Sequence, residues 1–101
     1  MSNSSEKVIE SLACLRRMKE IMIQEGESNW IDGLQCAIQA GESANDSKQA
    51  LKEMSSIYRS MHGGAGSFSD YFIWRDDFDQ RKEANKAFEA LSSRLWELLG
   101  I

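Results

Sequence analysis

None of the 101 residues is proline, so the chain lacks the residue that most reliably kinks or ends a helix. Ala, Leu, Glu, Lys, Gln, Arg and Met, the strongest helix formers, are plentiful, and together these features predict an all-α fold. A chain of this length supports one core, without room for a catalytic domain beside a separate regulatory one. Residues 1–101 are therefore read as a single helical domain. A hydrophobic content of 42% with 28% charged residues lies near globular averages and excludes wholesale disorder.

Apolar periodicity divides the chain into four segments. From Ser5 to Gln24, the positions Val8, Leu12, Leu15, Met18 and Met22 recur at three- or four-residue steps, with Ile9, Ala13 and Ile21 widening the stripe. Gly26 ends that helix. Ser28 or Asn29 can cap a second, whose stripe is Trp30, Leu34, Ala37 and Ile38 and which Gly41 should stop. Asp46 is the expected N-cap of a third, carrying Ala50, Leu51, Met54, Ile57, Tyr58 and Met61. Asp76 or Asp77 can cap the fourth, with Phe78, Ala84, Ala87, Phe88, Leu91, Leu95, Leu98 and Leu99 on its buried face. The expected architecture is a compact four-helix bundle, with Trp30, Leu34, Ile57, Phe88, Leu91 and Leu95 in its core.

Between helices three and four lies an aromatic-rich connector, Phe68 to Trp74, preceded by Gly63-Gly64-Ala65-Gly66. Its secondary structure stays open, since a short run of aromatic and β-branched residues suits an extended segment or a helical turn equally. The glycines permit a sharp exit from helix three, and the aromatic side chains should then plug one side of the bundle.

Catalytic chemistry finds little to work with, and the expectation is a non-enzymatic protein without cofactor or metal. His62 is the only histidine, so any nucleophilic triad would have to be built around it. Cys14 and Cys36 lie in helical patterns, suit neither a disulfide scaffold nor a CxxC site, and are read as buried thiols. Gly64-Ala65-Gly66 lacks the lysine of a phosphate loop. Asp76, Asp77 and Asp79 lack the glycine and terminal glutamate of a calcium loop and open a helix instead. Met1 to Ser5 shows no charged segment followed by an apolar run, and no stretch approaches the roughly 18 apolar residues of a membrane span. A cytoplasmic protein without membrane association is expected.

The formal charge of −4 is unevenly spread. No Lys or Arg falls between Lys19 and Lys48, a gap holding Glu20, Glu25, Glu27, Asp32, Glu42 and Asp46, while Asp70, Asp76, Asp77 and Asp79 surround Arg75 alone. Such a field repels nucleic acid and steers a basic protein surface toward the chain. The predicted partner-binding residues are Glu25, Glu27 and Asp32 from one segment and Asp70, Asp76, Asp77 and Asp79 from the other. The two groups converge if the second and fourth helices begin at the same pole of the bundle.

The run Gly64-Ala65-Gly66-Ser67-Phe68-Ser69-Asp70, after Tyr58 and ahead of Ile73, with Trp30 and Leu34 upstream, resembles a family of small bacterial proteins marked by Gly-x-Gly-Ser-Phe-x-Asp. The uninterrupted run Arg75-Asp76-Asp77-Phe78-Asp79 departs from its short forms. Members of such families look like immunity proteins encoded beside polymorphic toxins, including those of contact-dependent growth inhibition. The resemblance implies a cytoplasmic inhibitor of a cognate toxin domain. A nuclease is the toxin expected, because its basic substrate groove is what an acidic protein can cover. The competing expectation is a helical adaptor that binds a host protein through an apolar face. Exposed Tyr71, Phe72 and Trp74 would favour the adaptor, and buried ones the acidic interface.

Overall fold

A computed structural model describes residues 4–27, 29–61 and 71–100. Among these the chain forms four helices: α1 (Ser4–Gln24), α2 (Ile31–Ser43), α3 (Ser47–Met61) and α4 (Phe78–Leu99). The fold is an all-α bundle in which α1 packs against each of the other three helices.

Local chemistry sets most helix ends. Gly26, at φ +76°, takes the left-handed conformation that closes α1. The Glu27 N–H then donates to the Met22 carbonyl at 2.9 Å and the Gly26 N–H to the Ile23 carbonyl at 3.1 Å, satisfying carbonyls that the helix leaves open. Asp46 caps α3 by accepting the Gln49 N–H at 2.8 Å. Of the two candidates for α4, Asp77 is the cap, accepting the Gln80 N–H at 2.9 Å.

The expectations for α2 need correction at both ends. Its N-cap is Trp30, which makes no side-chain capping bond; the Asn29 N–H instead donates to the Glu27 carboxylate at 2.7 Å, and Ser28 lies outside the described residues. Gly41 does not stop the helix, which continues to Ser43. A Cβ at Gly41 would lie 2.6 Å from Met54 Sδ and 2.9 Å from Leu12 Cδ2, so this glycine lets α2 approach both neighbours closely.

The contacts give the helix directions. Arg16 meets Glu42 and Lys19 meets Gln35, so α1 and α2 run antiparallel. Gly33 faces Met61 while Gly41 faces Met54, setting α3 antiparallel to α2. Glu10 pairs with Arg94 and Glu25 with Arg75, which makes α4 antiparallel to α1. This up-and-down order places the end of α1, the start of α2, the end of α3 and the start of α4 at one pole.

Leu15, Met18 and Met22 of α1, Leu34 of α2, Met54 and Tyr58 of α3 and Leu95 of α4 are fully buried. Of the expected core, Leu34, Phe88 and Leu95 are buried, whereas Trp30, Ile57 and Leu91 are half-buried and pack against it. The stripes were drawn too wide at Ile9, Ala13, Phe78 and Ala87, all exposed. Cys14 is buried as expected, but Cys36 is exposed. The Tyr58 hydroxyl shares a 2.8 Å hydrogen bond with Ser92 Oγ, and its ring meets Trp96 edge-on at 5.5 Å. Burial pushes its pKa up to about 12, with the Ser92 bond pulling the other way.

Candidate functional site

The segment from Tyr71 to Asp77 crosses the shared pole outside any helix, and Asn85 holds its middle while the Arg75–Glu25 pair ties it to the end of α1. Asn85 of α4 accepts the Ile73 N–H at 2.8 Å and donates to the Ile73 carbonyl at 2.8 Å and to the Arg81 carbonyl at 2.9 Å. Ile73, held this way, is 2% exposed. Tyr71 also turns inward, meeting Phe88 edge-on at 5.1 Å; burial raises its pKa, and the carboxylates of Glu25 and Glu27 add to the rise.

The alternate residues face solvent. Phe72 is 59% and Trp74 64% exposed, as is Phe78 at 67% on the first turn of α4. Tyr71, Phe72 and Trp74 therefore gather into no common cluster among the described residues, and the expected aromatic plug reduces to Ile73 with Tyr71. The Arg81 guanidinium lies 4.0 Å from the Trp74 ring centroid and 5.6 Å from that of Phe78, within the range of cation–π attraction. It holds two exposed rings in place without covering them.

The predicted acidic residues divide by what they already bind. Glu25 pairs with Arg75 and is largely buried by doing so, and Asp77 is committed to capping α4. Glu27 accepts the Asn29 N–H but lies with Glu25 in a notch against Tyr71, Phe72 and Trp74. Asp32, Asp76 and Asp79 are exposed and engage no ion pair or hydrogen bond among the described residues. The structure thus brings Glu25 and Glu27 beside the Tyr71–Arg75 segment. Asp32 is exposed on the first turn of α2, which begins at the same pole, and Asp70 lies outside the described residues. So do His62 and the Gly64-Ala65-Gly66 loop with Phe68, which was expected to be seated by it.

Among the described residues no three His, Cys, Asp or Glu side chains converge on a metal site. No helix is long and apolar enough to cross a membrane. Burial raises the pKa of Cys14, with the Glu10 charge adding to the effect, a setting opposite to that of an activated thiol.

Three residues of this pole, Asn85, Arg81 and Phe78, carry no functional role in the reading from sequence. Asn85 had a legible signal: an amide one turn ahead of Phe88 sits close to the apolar stripe, where only a bonded polar group is tolerated. Phe78 is expected on the buried face of α4 because it begins an apolar series, and Arg81 follows it by one helical turn.

One comparison with known proteins adds to this geometry. A family model described as Domain of unknown function (DUF6966) matches residues 23–79, from the end of α1 through the Phe72–Trp74 segment to the start of α4. No curated protein and no solved structure matches the chain.

Proposed function

The chain belongs to that family, and on this premise we propose that it is a non-catalytic, cytoplasmic protein-binding domain acting as an immunity protein, which neutralises a cognate toxin domain by docking the pole around residues 71–79 onto it. The observation that carries the protein-binding part of the reading is the exposure of Phe72, Trp74 and Phe78 together at one pole, which by itself also suits an apolar adaptor face. Large aromatic side chains and a stacked arginine are the residue types that anchor protein interfaces, and they are poor residues to leave in water.

The carboxylates around these anchors give the surface its sign. Asp76 and Asp79 on the α4 side, with Glu27 across the notch, form an acidic rim suited to a basic surface such as the substrate groove of a nuclease. Rim charges act mainly on the association rate, and buried aromatic anchors on the lifetime of the complex. The toxin assignment itself is supported by the Gly64–Asp70 resemblance.

The test is to coproduce the chain with the C-terminal domain encoded by the gene immediately upstream and to score growth. Trp74→Ala with Phe78→Ala, and separately Asp76→Lys with Asp79→Lys, should each remain folded by circular dichroism and each lose protection. An adaptor bound to an apolar host surface is the second reading, favoured by the same exposed rings. It is distinguished by a chain that never protects against the toxin and whose host partner is lost with the aromatic variant but kept with the charge variant.

A further inference from the structure

We propose that the groove along the first half of α4 receives a segment of the partner in which carboxylates stand between two large apolar residues. The inference deepens the protein-binding reading above and rests on it. Phe78, Lys82, Lys86 and Glu89 recur at three- or four-residue steps and so share one face of α4. With Phe72, Arg81 and Asn85 they line an open groove. The connector descends beside α4 in the opposite direction: Tyr71 meets Phe88, Ile73 is bonded to Asn85, Trp74 meets Arg81 and Asp77 caps the helix. Phe72, between Tyr71 and Ile73, therefore stands level with Asn85 to Phe88, and Phe78 stands at the other end. The groove thus has an exposed ring toward each end and cations between them.

Charge selects what lies between the rings. Arg16, Arg17, Arg75 and Arg94 each pair with a carboxylate, whereas Arg81, Lys82 and Lys86 pair with none among the described residues. Glu89 is the one acid lining the groove. The Arg81 guanidinium meets only the Trp74 and Phe78 rings, and its Nε is buried without a hydrogen-bond partner, so donor capacity there is unsatisfied. A carboxylate entering the groove supplies the acceptor that this guanidinium lacks, and a basic segment is repelled. From Phe78 to the level of Lys86 the helix rises roughly 12 Å, the reach of about four extended residues. Apolar side chains at the two ends of such a segment would cover Phe72 and Phe78. Asp76 and Asp79 remain available to a basic surface elsewhere on the same partner.

The experiment titrates the full chain with a capped Phe-Glu-Glu-Leu peptide, read by side-chain NMR shifts, which register weak binding. Signals of Phe72, Phe78, Lys82 and Lys86 should move together, and added salt should weaken the complex. Phe-Lys-Lys-Leu and Ser-Glu-Glu-Ser counterparts should each bind about ten-fold more weakly or worse. Lys82→Glu with Lys86→Glu should turn the preference toward the Lys peptide. Lys48→Glu with Lys52→Glu, an equal charge change on the exposed start of α3, should leave the preference as it was. Absence of binding, equal binding of the Glu and Lys peptides, or a preference unmoved by the Lys82 and Lys86 reversal would overturn the proposal. So would concentration-dependent dimerisation that shifts the same side chains without peptide, which would make a second copy of the chain the occupant. The upstream-encoded domain separates the two levels. Protection kept by Lys82→Glu with Lys86→Glu but lost with Trp74→Ala and Phe78→Ala leaves the protein-binding pole intact and removes the acidic segment. Protection kept by both variants removes both.

Discussion

The two halves of α4 differ in sequence, the second carrying Phe88, Leu91, Leu95, Trp96, Leu98 and Leu99 where the first has Phe78 as its one large apolar residue, and they meet opposite fates. From Phe88 to Leu99 the helix sinks Phe88, Leu95, Leu98 and Leu99 into the core and joins α3 through the Tyr58–Ser92 bond. From Phe78 to Ala87 the same helix leaves its one large ring exposed. The difference lies in that composition and also in what runs alongside. Helix α3 meets α4 at Tyr58, one turn before α3 ends at Met61, so it covers the C-terminal half alone. Over the N-terminal half the described cover comes from the Tyr71–Arg75 segment, pinned by Asn85, and from the end of α1 through Glu25 and Arg75. Burial along α4 thus follows both its apolar stripe and how far its neighbours extend, and Phe78 lies beyond both.

Five substitutions sharpen or break this contrast. Leu95→Ala should produce the largest effect, a loss of about 2–5 kcal/mol in denaturant unfolding, because a fully buried side chain leaves a cavity between packed helices. The half-buried Leu91 should cost less than Leu95 in the same assay. If the two were equal, burial along α4 would be misassigned.

Tyr58 comes next, through pH. Its folded pKa lies near 12 against an ordinary value of 10, so between these values the folded state holds a proton that the unfolded chain has released. Stability from this group is fully present below pH 10 and is lost as pH rises toward 12, by about 2–3 kcal/mol. Tyr58→Phe should abolish that alkaline slope while costing about 1 kcal/mol at neutral pH. An unchanged slope in the variant would place the alkaline transition elsewhere.

Asn85→Ala tests the other half. With the Ile73 N–H and C=O left without partners, stability should fall by about 1–3 kcal/mol. The Ile73 amide should also lose its slow exchange while the Leu95 amide keeps it. Loss of protection throughout α4 would mean that the two halves are one cooperative unit.

Phe78→Ala should change stability least, by within about 0.5 kcal/mol, since the ring is already in water. A loss above 1 kcal/mol in thermal unfolding would show that the Arg81 stack holds the pole together, and would weaken its reading as a free docking surface.

Much of this molecule was readable along the chain. The all-α class, the four helices, the cap at Asp46, the Asp76–Asp77 pair as the source of the α4 cap and the stop at Gly26 depend on groups within a turn of one another, so spacing and residue type suffice. Periodicity also located Leu15, Met18, Leu34, Met54 and Leu95, because a helix with a 3.6-residue repeat can hide only one face. The charge map did not transfer. The cation-free stretch between Lys19 and Lys48 looked like an unbalanced acidic field, yet Arg17 and Arg16 pair with Glu20 and Glu42, and Arg75 reaches Glu25 from fifty positions away. What survives as free carboxylate near the pole, Asp76 and Asp79, is smaller than the sequence suggested.

Sequence by itself determined where helices form and which face of each is apolar, because backbone hydrogen bonds, capping groups and side-chain period act over a few residues. Only the tertiary structure decided which apolar residues stay uncovered and which charges stay unpaired. Those outcomes depend on how far each helix runs beside its neighbour and on which side chain lies opposite: α3 ends one turn past Tyr58, Asn85 falls opposite Ile73, and Arg75 falls opposite Glu25. No spacing along one segment encodes what stands across the gap from it.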